Sequence, residues 1–384
     1  MIYLDQAASS FPKPTLVMDS LVKAVREFGA NPGRSGHKLA RRAALAIEET
    51  RVELADLFQA ENHNRVIFTQ NATTAINQGI NGLGLRKGDH AITTTLEHNS
   101  IRRPLERLVK EKGISLTYLS PNKDGEITID QLQGVLKDQT KLVAVTHGSN
   151  VTGELLPIKE WGEVLSTHHA KFLVDASQTA GSIPISMKDF NIDLLAFPGH
   201  KGLLGPQGVG VLIASTNVQL TPLTVGGTGF HSESPEQPLD WPFYLESGTL
   251  NTPGISGLLE GIREIKRMDL GEIYDHERKL VERCIEEFSS INGLEWFAPK
   301  LGEKRLGVIS FRIIGIDVHE MAAILDEHYD IAVRAGLHCA PLMHQYLNTI
   351  DTGLIRASFG IYNTLDDVDH FITAVKEIRE GLLS

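Results

Sequence analysis

Two hydrophobic periods alternate through the first two-thirds of the chain. Short runs rich in β-branched residues, such as Arg65-Val66-Ile67-Phe68-Thr69, Ala91-Ile92-Thr93-Thr94-Thr95, Lys141-Leu142-Val143-Ala144-Val145 and Lys171-Phe172-Leu173-Val174-Asp175, are separated by longer segments with helical spacing. That alternation predicts βαβ units around a mostly parallel sheet. After Asn71 the helical period is explicit, with Ile76, Ile80 and Leu83 at i, i+4 and i+7 forming one apolar stripe.

The pattern then changes. From about Thr221 to Pro242 the chain is dense in Gly, Pro, Ser and Thr, which predicts a loop region ahead of a change of domain. Beyond Ser256 the helical period lengthens through Leu259, Ile262 and Ile265 to Leu280, Cys284 and Phe288. Strand-like runs return at Gly307 to Phe311 and Leu354 to Phe359, and an amphipathic helix from about Val368 to Leu382 closes the sequence. The expected organisation is a segment 1–15 packing on the smaller domain, a large domain 16–255, and a smaller α+β domain 256–384.

With 384 residues the chain is long enough for two cores, and 41% apolar with 22% charged residues is an ordinary globular balance. Lys and Arg number 37 against 48 Asp and Glu, a formal charge of −11, so a non-specific grip on nucleic acid is not expected. Met1-Ile2-Tyr3-Leu4-Asp5-Gln6 has neither a basic nor an apolar leader-like region, and no apolar run has the length of a membrane span, so a cytoplasmic protein is expected. Two cysteines cannot form a disulfide framework, and each needs its own explanation.

The most informative segment is Leu194-Leu195-Ala196-Phe197-Pro198-Gly199-His200-Lys201-Gly202, which sets a lysine among apolar residues and glycine turns. Desolvation there disfavours the ammonium form and makes the amine a usable nucleophile toward an aldehyde. A surface lysine on a loop is the competing reading. Asp175 ends a buried-looking strand, at the end where open α/β sheets bind ligands, and an acid there can keep a pyridine nitrogen protonated. A helix-capping aspartate is the alternative. Asn71-Ala72-Thr73-Thr74 joins a strand to a helix, where amides and hydroxyls converge on a phosphate or merely cap the helix. His98 follows another strand and can stack on an aromatic ring or serve structurally.

Cys339 lies in Arg334-Ala335-Gly336-Leu337-His338-Cys339-Ala340-Pro341, a loop to which Arg334 and His338 are expected to lend positive character that favours a reactive thiolate. A buried, inert loop thiol is the equal alternative. Cys284 falls on the apolar stripe of a helix and is expected to be a core residue. Arg356, within an apolar strand, needs a partner; a substrate carboxylate fits its planar fork, and an internal ion pair is the competing reading.

Taken in order, these residues resemble the cysteine desulfurases of the class V aminotransferase-like group, nearest the branch that includes selenocysteine lyase-type enzymes. The resemblance covers essentially the whole chain. It is carried by Leu4-Asp5-Gln6-Ala7-Ala8, Asn31-Pro32-Gly33-Arg34-Ser35-Gly36-His37, Phe68-Thr69-Gln70-Asn71-Ala72-Thr73, Glu97-His98-Asn99-Ser100, Ser149-Asn150-Val151-Thr152-Gly153, Asp175-Ala176-Ser177-Gln178, Gly199-His200-Lys201 and Arg334 to Cys339.

The resemblance implies a fold-type I, pyridoxal 5'-phosphate-dependent transferase. Lys201 would carry the cofactor, Asp175 would meet the pyridine nitrogen, Gln178 and Asn150 would lie near the ring hydroxyl, and His98 would stack on the ring. Ala72, Thr73 and His200 would hold the phosphate, and Thr249 would reach the phosphate of a neighbouring subunit in a homodimer. Arg356 would bind the substrate carboxylate, with Arg334, Asn150 and His37 contributing. L-cysteine would give L-alanine and a persulfide on Cys339, which a thiol reductant or sulfur-acceptor protein must collect.

Two departures stand out: Pro198 replaces a usual phosphate-binding serine, and Leu337 stands where close relatives often have histidine. Competing readings are a selenocysteine lyase, an aminotransferase or β-lyase on the same scaffold, and a non-catalytic sulfur carrier or scaffold. A dinucleotide enzyme fits poorly, because Gly205, Gly208 and Gly210 have the wrong spacing.

Overall fold

Alternate residues of a strand point to opposite faces of its sheet, so near-continuous apolar runs mean a sheet covered on both sides. A computed structural model of the chain describes all residues except Arg34, Ser35, Lys123, Asp124, Phe230, Ser232, Lys300 and Ser384, and only the backbone of Leu383. The segment Asn31 to His37 is therefore described only in part, Arg34 and Ser35 lying outside the described residues.

Chain order is β1 (Ile2–Tyr3), α1 (Thr15–Phe28), α2 (Lys38–Leu57), β2 (Val66–Thr69), α3 (Ala72–Gly82), β3 (His90–Thr94), α4 (Asn99–Lys112), β4 (Ser115–Leu119), α5 (Ile129–Val135), β5 (Thr140–Thr146), α6 (Ile158–Leu165), β6 (Lys171–Asp175), β7 (Leu194–Pro198) and β8 (Gly210–Ala214). There follow α7 (Thr252–Met268), α8 (Leu270–Phe288), β9 (Leu294–Phe297), β10 (Val308–Ile313), α9 (Val318–Tyr329), β11 (Ile331–Ala332), β12 (Arg334–Gly336), α10 (Pro341–Tyr346), β13 (Leu354–Ser358) and α11 (Leu365–Leu383). No described helix is long and apolar enough to cross a membrane.

The large sheet has seven strands in the order β2-β8-β7-β6-β5-β3-β4. Strands β4, β3, β5, β6 and β7 run parallel, and β8 is antiparallel to both β7 and β2. Its two faces are buried separately. Leu142 and Ala144 of β5 join a core with Ile76, Ile80 and Ile101 of α3 and α4, while Val143 and Val145 join the opposite core with Leu54 and Trp161. Gly79 lets α3 seat closely on β6, since a Cβ there would lie 2.6 Å from Leu173 Cδ1.

The smaller sheet is antiparallel, in the order β12-β13-β10-β9, and packs against α8, α9 and α11 around Phe288, Phe311 and Phe371. The expected boundary at 255/256 falls inside α7, whose Ile255, Leu258, Ile262 and Ile265 all pack in the large-domain core. Along α8 the packing passes from the first core, which holds Ile273, to the second, which holds Leu280, Cys284 and Phe288. Sequence periodicity runs unbroken through both helices and so does not mark where the packing changes. At the other end, β1 pairs in parallel with β11, and Leu4 is buried in the small-domain core.

Candidate active site

The parallel strands deliver polar residues at their C-terminal ends, and a cleft with about 540 Å³ of empty space opens there, lined by Thr73, His98, Asn150, Asp175, Gln178 and Lys201 among others. This is where an open α/β sheet takes a ligand.

Helix α3 forms one wall. Asn71 Oδ1 caps it by accepting from the Thr74 amide at 2.9 Å, so the first-turn amides of Ala72 and Thr73 lie at a positive helix end that no intrahelical carbonyl can satisfy. Ala72 and Thr73 line the cleft. Thr73 Oγ1 is 2.7 Å from Ser100 Oγ, which is 2.8 Å from His98 Nδ1.

His98 is the N-cap of α4, its Nδ1 accepting from the Ser100 amide at 3.0 Å. That bond assigns the ring proton to Nε2. Burial, with Lys201, Arg334 and Arg103 against the opposing pull of Asp175, holds its pKa below the ordinary histidine value. Behind it Glu97 accepts from Thr94 Oγ1 at 2.6 Å and from the Thr146 amide at 2.9 Å; burial, with Asp175 adding to it, raises its carboxyl to about 8.

Asp175 closes β6 and is 3% exposed. Its Oδ1 accepts from the Ser177 amide at 2.9 Å and from the Ser177 hydroxyl, a local turn that fixes the carboxylate without spending Oδ2. No α-helix begins there, so the capping alternative does not hold.

Lys201 lies on the turn after β7, between Gly199 and Gly202. Burial first, then Arg356 and Arg334, bring its amine down to about 8, against the opposing influence of Asp175 and Asp5. His200 lines the same cleft; its ring sits 3.2 Å from Ser9 Oγ, and burial brings it down to about 4. Gln178 Nε2 donates to the Ala7 carbonyl at 3.1 Å. Pro198 contributes a lining atom set without a hydroxyl.

The thiol loop is held in an unusual backbone. His338 and Cys339 both have positive φ, 48° and 59°, after Gly336 at 112°. Successive non-glycine residues in this region need outside support. It comes from the large domain: Asn150 Nδ2 donates to the His338 carbonyl at 2.7 Å, and the Asn99 amide donates to the Cys339 carbonyl at 2.8 Å. Cys339 is exposed, with its Sγ 4.0 Å from Arg334 Nη2.

One expectation for this loop is corrected. His338 lends no positive charge, because it is buried, its Nε2 is bonded to the Leu354 carbonyl at 3.1 Å, and burial with Arg356 drives it down to about 2. Arg334 supplies a cation beside the thiol. Cys284 is wholly buried in the small-domain core, and burial raises its thiol far above the usual range.

Asn150 lines the cleft, but its amide nitrogen is committed to the thiol loop. Arg356 is buried and does form the internal ion pair, with Asp5 at 2.6 Å. Of the expected residues, Cys339, Arg334, Arg356, Thr249 and His37 do not line the cleft, though Arg334 and Arg356 act on Lys201 through their charge. Thr249 is exposed and accepts from Asn31 Nδ2 at 3.1 Å, and His37 caps α2 by accepting from the Ala40 amide at 3.2 Å. Sequence reasoning missed Asp5, Asn99 and Ser100. Ser100 was legible as a hydroxyl two residues past the capping His98; nothing in the spacing links residue 5 to residue 356.

The Aminotransferase class-V family model matches residues 2–371. Similar curated proteins include a probable cysteine desulfurase of Methanothermobacter thermautotrophicus, 35% identical over 98% of this chain and 94% of the relative. Another, from Pyrococcus abyssi, is 36% identical over 100% and 96%. Among solved structures, the apo cysteine desulfurase of Thermococcus onnurineus NA1 matches with a TM-score of 0.92 at 34% identity, covering 99% of this chain and 95% of that one. The Escherichia coli cysteine desulfurase CsdA in its S-sulfonic acid form matches with a TM-score of 0.90 at 28% identity, covering 99% and 95%.

Proposed function

We propose, from the premise that this chain belongs to the aminotransferase class-V family, that it is a cysteine desulfurase working with pyridoxal 5'-phosphate and the thiol of Cys339. The observation that carries the reading is the juxtaposition of two chemistries. A cleft with a lowered-pKa lysine and a buried aspartate is bordered by an exposed thiol whose loop is bonded to Asn99 and Asn150.

The donor set of the cleft fits the cofactor. Helix-start amides of Ala72 and Thr73 with the Thr73 and Ser100 hydroxyls suit a phosphate, Asp175 Oδ2 suits a ring N–H, and Lys201 Nζ suits the aldehyde carbon. His98 would cover the ring face as a neutral imidazole, and His200 and Gln178 would complete the walls. Once bound, pyridoxal phosphate supplies an electron sink for the substrate Cα.

The protein's own groups would do the rest. Arg356 holds the substrate carboxylate. Lys201 Nζ would hold the cofactor aldehyde and would take the proton from the substrate Cα. Cys339 Sγ, beside the Arg334 guanidinium, attacks the substrate sulfur; the S–S bond forms as the substrate Cβ–S bond breaks, and its electron pair stays with the carbon skeleton. Protonation of that skeleton leaves alanine, and Cys339 retains the sulfur as a persulfide for a thiol reductant or acceptor protein.

A second copy of the chain would complete the site. Thr249 is exposed beside a groove lined by Asn31, Leu45, Phe243 and Leu250, with Leu39 and Leu45 50% and 68% exposed. Such apolar exposure suits a homodimer contact.

The decisive experiment adds L-cysteine to the holoprotein, looks for one extra sulfur on Cys339 by mass spectrometry, and quantifies alanine alongside. Alanine without the persulfide would sink the role of Cys339. Turnover confined to L-selenocysteine would favour a selenocysteine lyase.

A further inference from the structure

The antiparallel pairing of β12 with β13 sets Arg334 directly opposite Arg356. Like charges in that relation repel, and Arg356 is only 1% exposed, so its guanidinium depends on acceptors supplied by the protein or by a ligand. Two are supplied. Nη1 donates to the Asn150 carbonyl at 3.1 Å, and Nη2 donates to Asp5 Oδ1 at 2.6 Å. Arg356 Nε is buried and finds no partner among the described residues.

Asp5 belongs to neither of the arginine strands. The N-terminal segment brings it in, and backbone bonds fix the segment on both sides of it. Leu4 N–H donates to the Ala332 carbonyl at 2.8 Å, Ser358 N–H donates to the Leu4 carbonyl at 2.7 Å, and Gln6 N–H donates to the Ser358 carbonyl at 3.4 Å. A few residues on, the same segment touches the cofactor side, where Ser10 N–H donates to the His200 carbonyl at 3.0 Å.

We propose that Asp5 is a positioning residue for the substrate carboxylate: by accepting from Nη2 it fixes the orientation of the Arg356 guanidinium against the Asn150 carbonyl. The inference rests on the reading of Arg356 as the carboxylate site.

The test compares Asp5→Asn with Arg356→Lys in the holoprotein. For Asp5→Asn, the Arg356 fork loses the partner that orients it, and KM for L-cysteine is expected to rise about tenfold, with kcat and cofactor absorbance near wild type. Equilibrium binding of 3-mercaptopropionate, which keeps the carboxylate and lacks the amine, should weaken equally. Binding of cysteamine, which lacks the carboxylate, should not change.

An unchanged KM in Asp5→Asn while Arg356→Lys raises it overturns the role of Asp5 alone. If Arg356→Lys also leaves KM unchanged, the carboxylate site itself is misassigned and the inference falls with it. Equal weakening of cysteamine and 3-mercaptopropionate would mean a general structural defect and would likewise overturn it. Should Asp5→Asn not fold, Asp5→Ser carries the same comparison.

Discussion

The backbone amide of Asn99 donates to the carbonyl of Cys339 at 2.8 Å, which ties the thiol loop to the first turn of the helix that His98 caps. This bond is main chain to main chain, so no side-chain substitution at Asn99 deletes it. The neighbouring tether, from Asn150 Nδ2 to the His338 carbonyl at 2.7 Å, is a side-chain bond and can be removed. Together they hold two consecutive residues at positive φ.

Asn150→Ala should therefore loosen the loop and leave the cofactor cleft otherwise intact. The expected result is a fall of about tenfold in the rate of persulfide formation on Cys339, the size of one lost buried hydrogen bond. Holoprotein absorbance should persist. Rapid-quench measurement of persulfide against L-cysteine concentration checks this, and a rate equal to wild type would remove the tether from the mechanism.

Cys339→Ala separates the two halves of the proposed chemistry. The variant should bind pyridoxal phosphate as the parent does, because no group lining the cleft is changed. Alanine release from L-cysteine should be abolished within detection. Unchanged turnover would show that the thiol does not receive the sulfur.

Much of this site was legible in the sequence because strand ends and helix starts announce themselves locally. Asp175 ends an apolar run, Asn71 precedes a periodic helix, and Lys201 sits in a glycine-flanked turn. What stayed hidden depends on pairings across hundreds of residues. The Asp5–Arg356 ion pair spans 351 positions, and the Asn150 tether to the thiol loop spans 188. His338 misled for a related reason: a histidine beside a cysteine looks like a cation in sequence, and only tertiary burial against the Leu354 carbonyl makes it neutral. The passage from one core to the other was not legible either, because α7 and α8 share one helical period while burying most of their apolar faces in different cores.

With His338 neutral, the Arg334 guanidinium stands 4.0 Å from Cys339 Sγ. A guanidinium at that distance attracts anionic sulfur, although the exposed setting screens it. Arg334→Gln should slow persulfide formation on Cys339 from L-cysteine about fivefold at low salt. Added salt should shrink the difference between the two proteins. Equal rates at low salt would leave the arginine with a purely structural part.

The lowered amine of Lys201 has its own signature. Only the unprotonated amine adds to an aldehyde, and burial brings this lysine to about 8 from its ordinary 10.5. Uptake of pyridoxal phosphate by the apoprotein, followed by absorbance in stopped flow, should accelerate with pH up to about 8 and then level off. Acceleration continuing past about pH 10 would mean that the lysine behaves as in open water.

Glu277 offers a test of stability against pH. It sits on α8 beside Ser182, in a small cavity that Lys201 also lines, and burial raises its carboxyl to about 8 from the ordinary 4.5. Between those values the folded protein still holds a proton that the unfolded chain has released. Stability therefore falls as pH rises across the window, with the loss complete above about 8. Glu97, Glu154 and Glu246 are raised by burial too and add slopes of the same sign, so wild-type behaviour alone does not isolate Glu277. Glu277→Gln keeps the shape and the hydrogen-bonding capacity while removing the titration. The two proteins should melt at similar temperatures near pH 5 and diverge toward pH 8, the variant becoming the more stable. Parallel melting curves across that range would mean that the carboxyl ionises inside the fold at its ordinary value, and the cavity between α8 and the lysine turn would then have to be wet enough to solvate it.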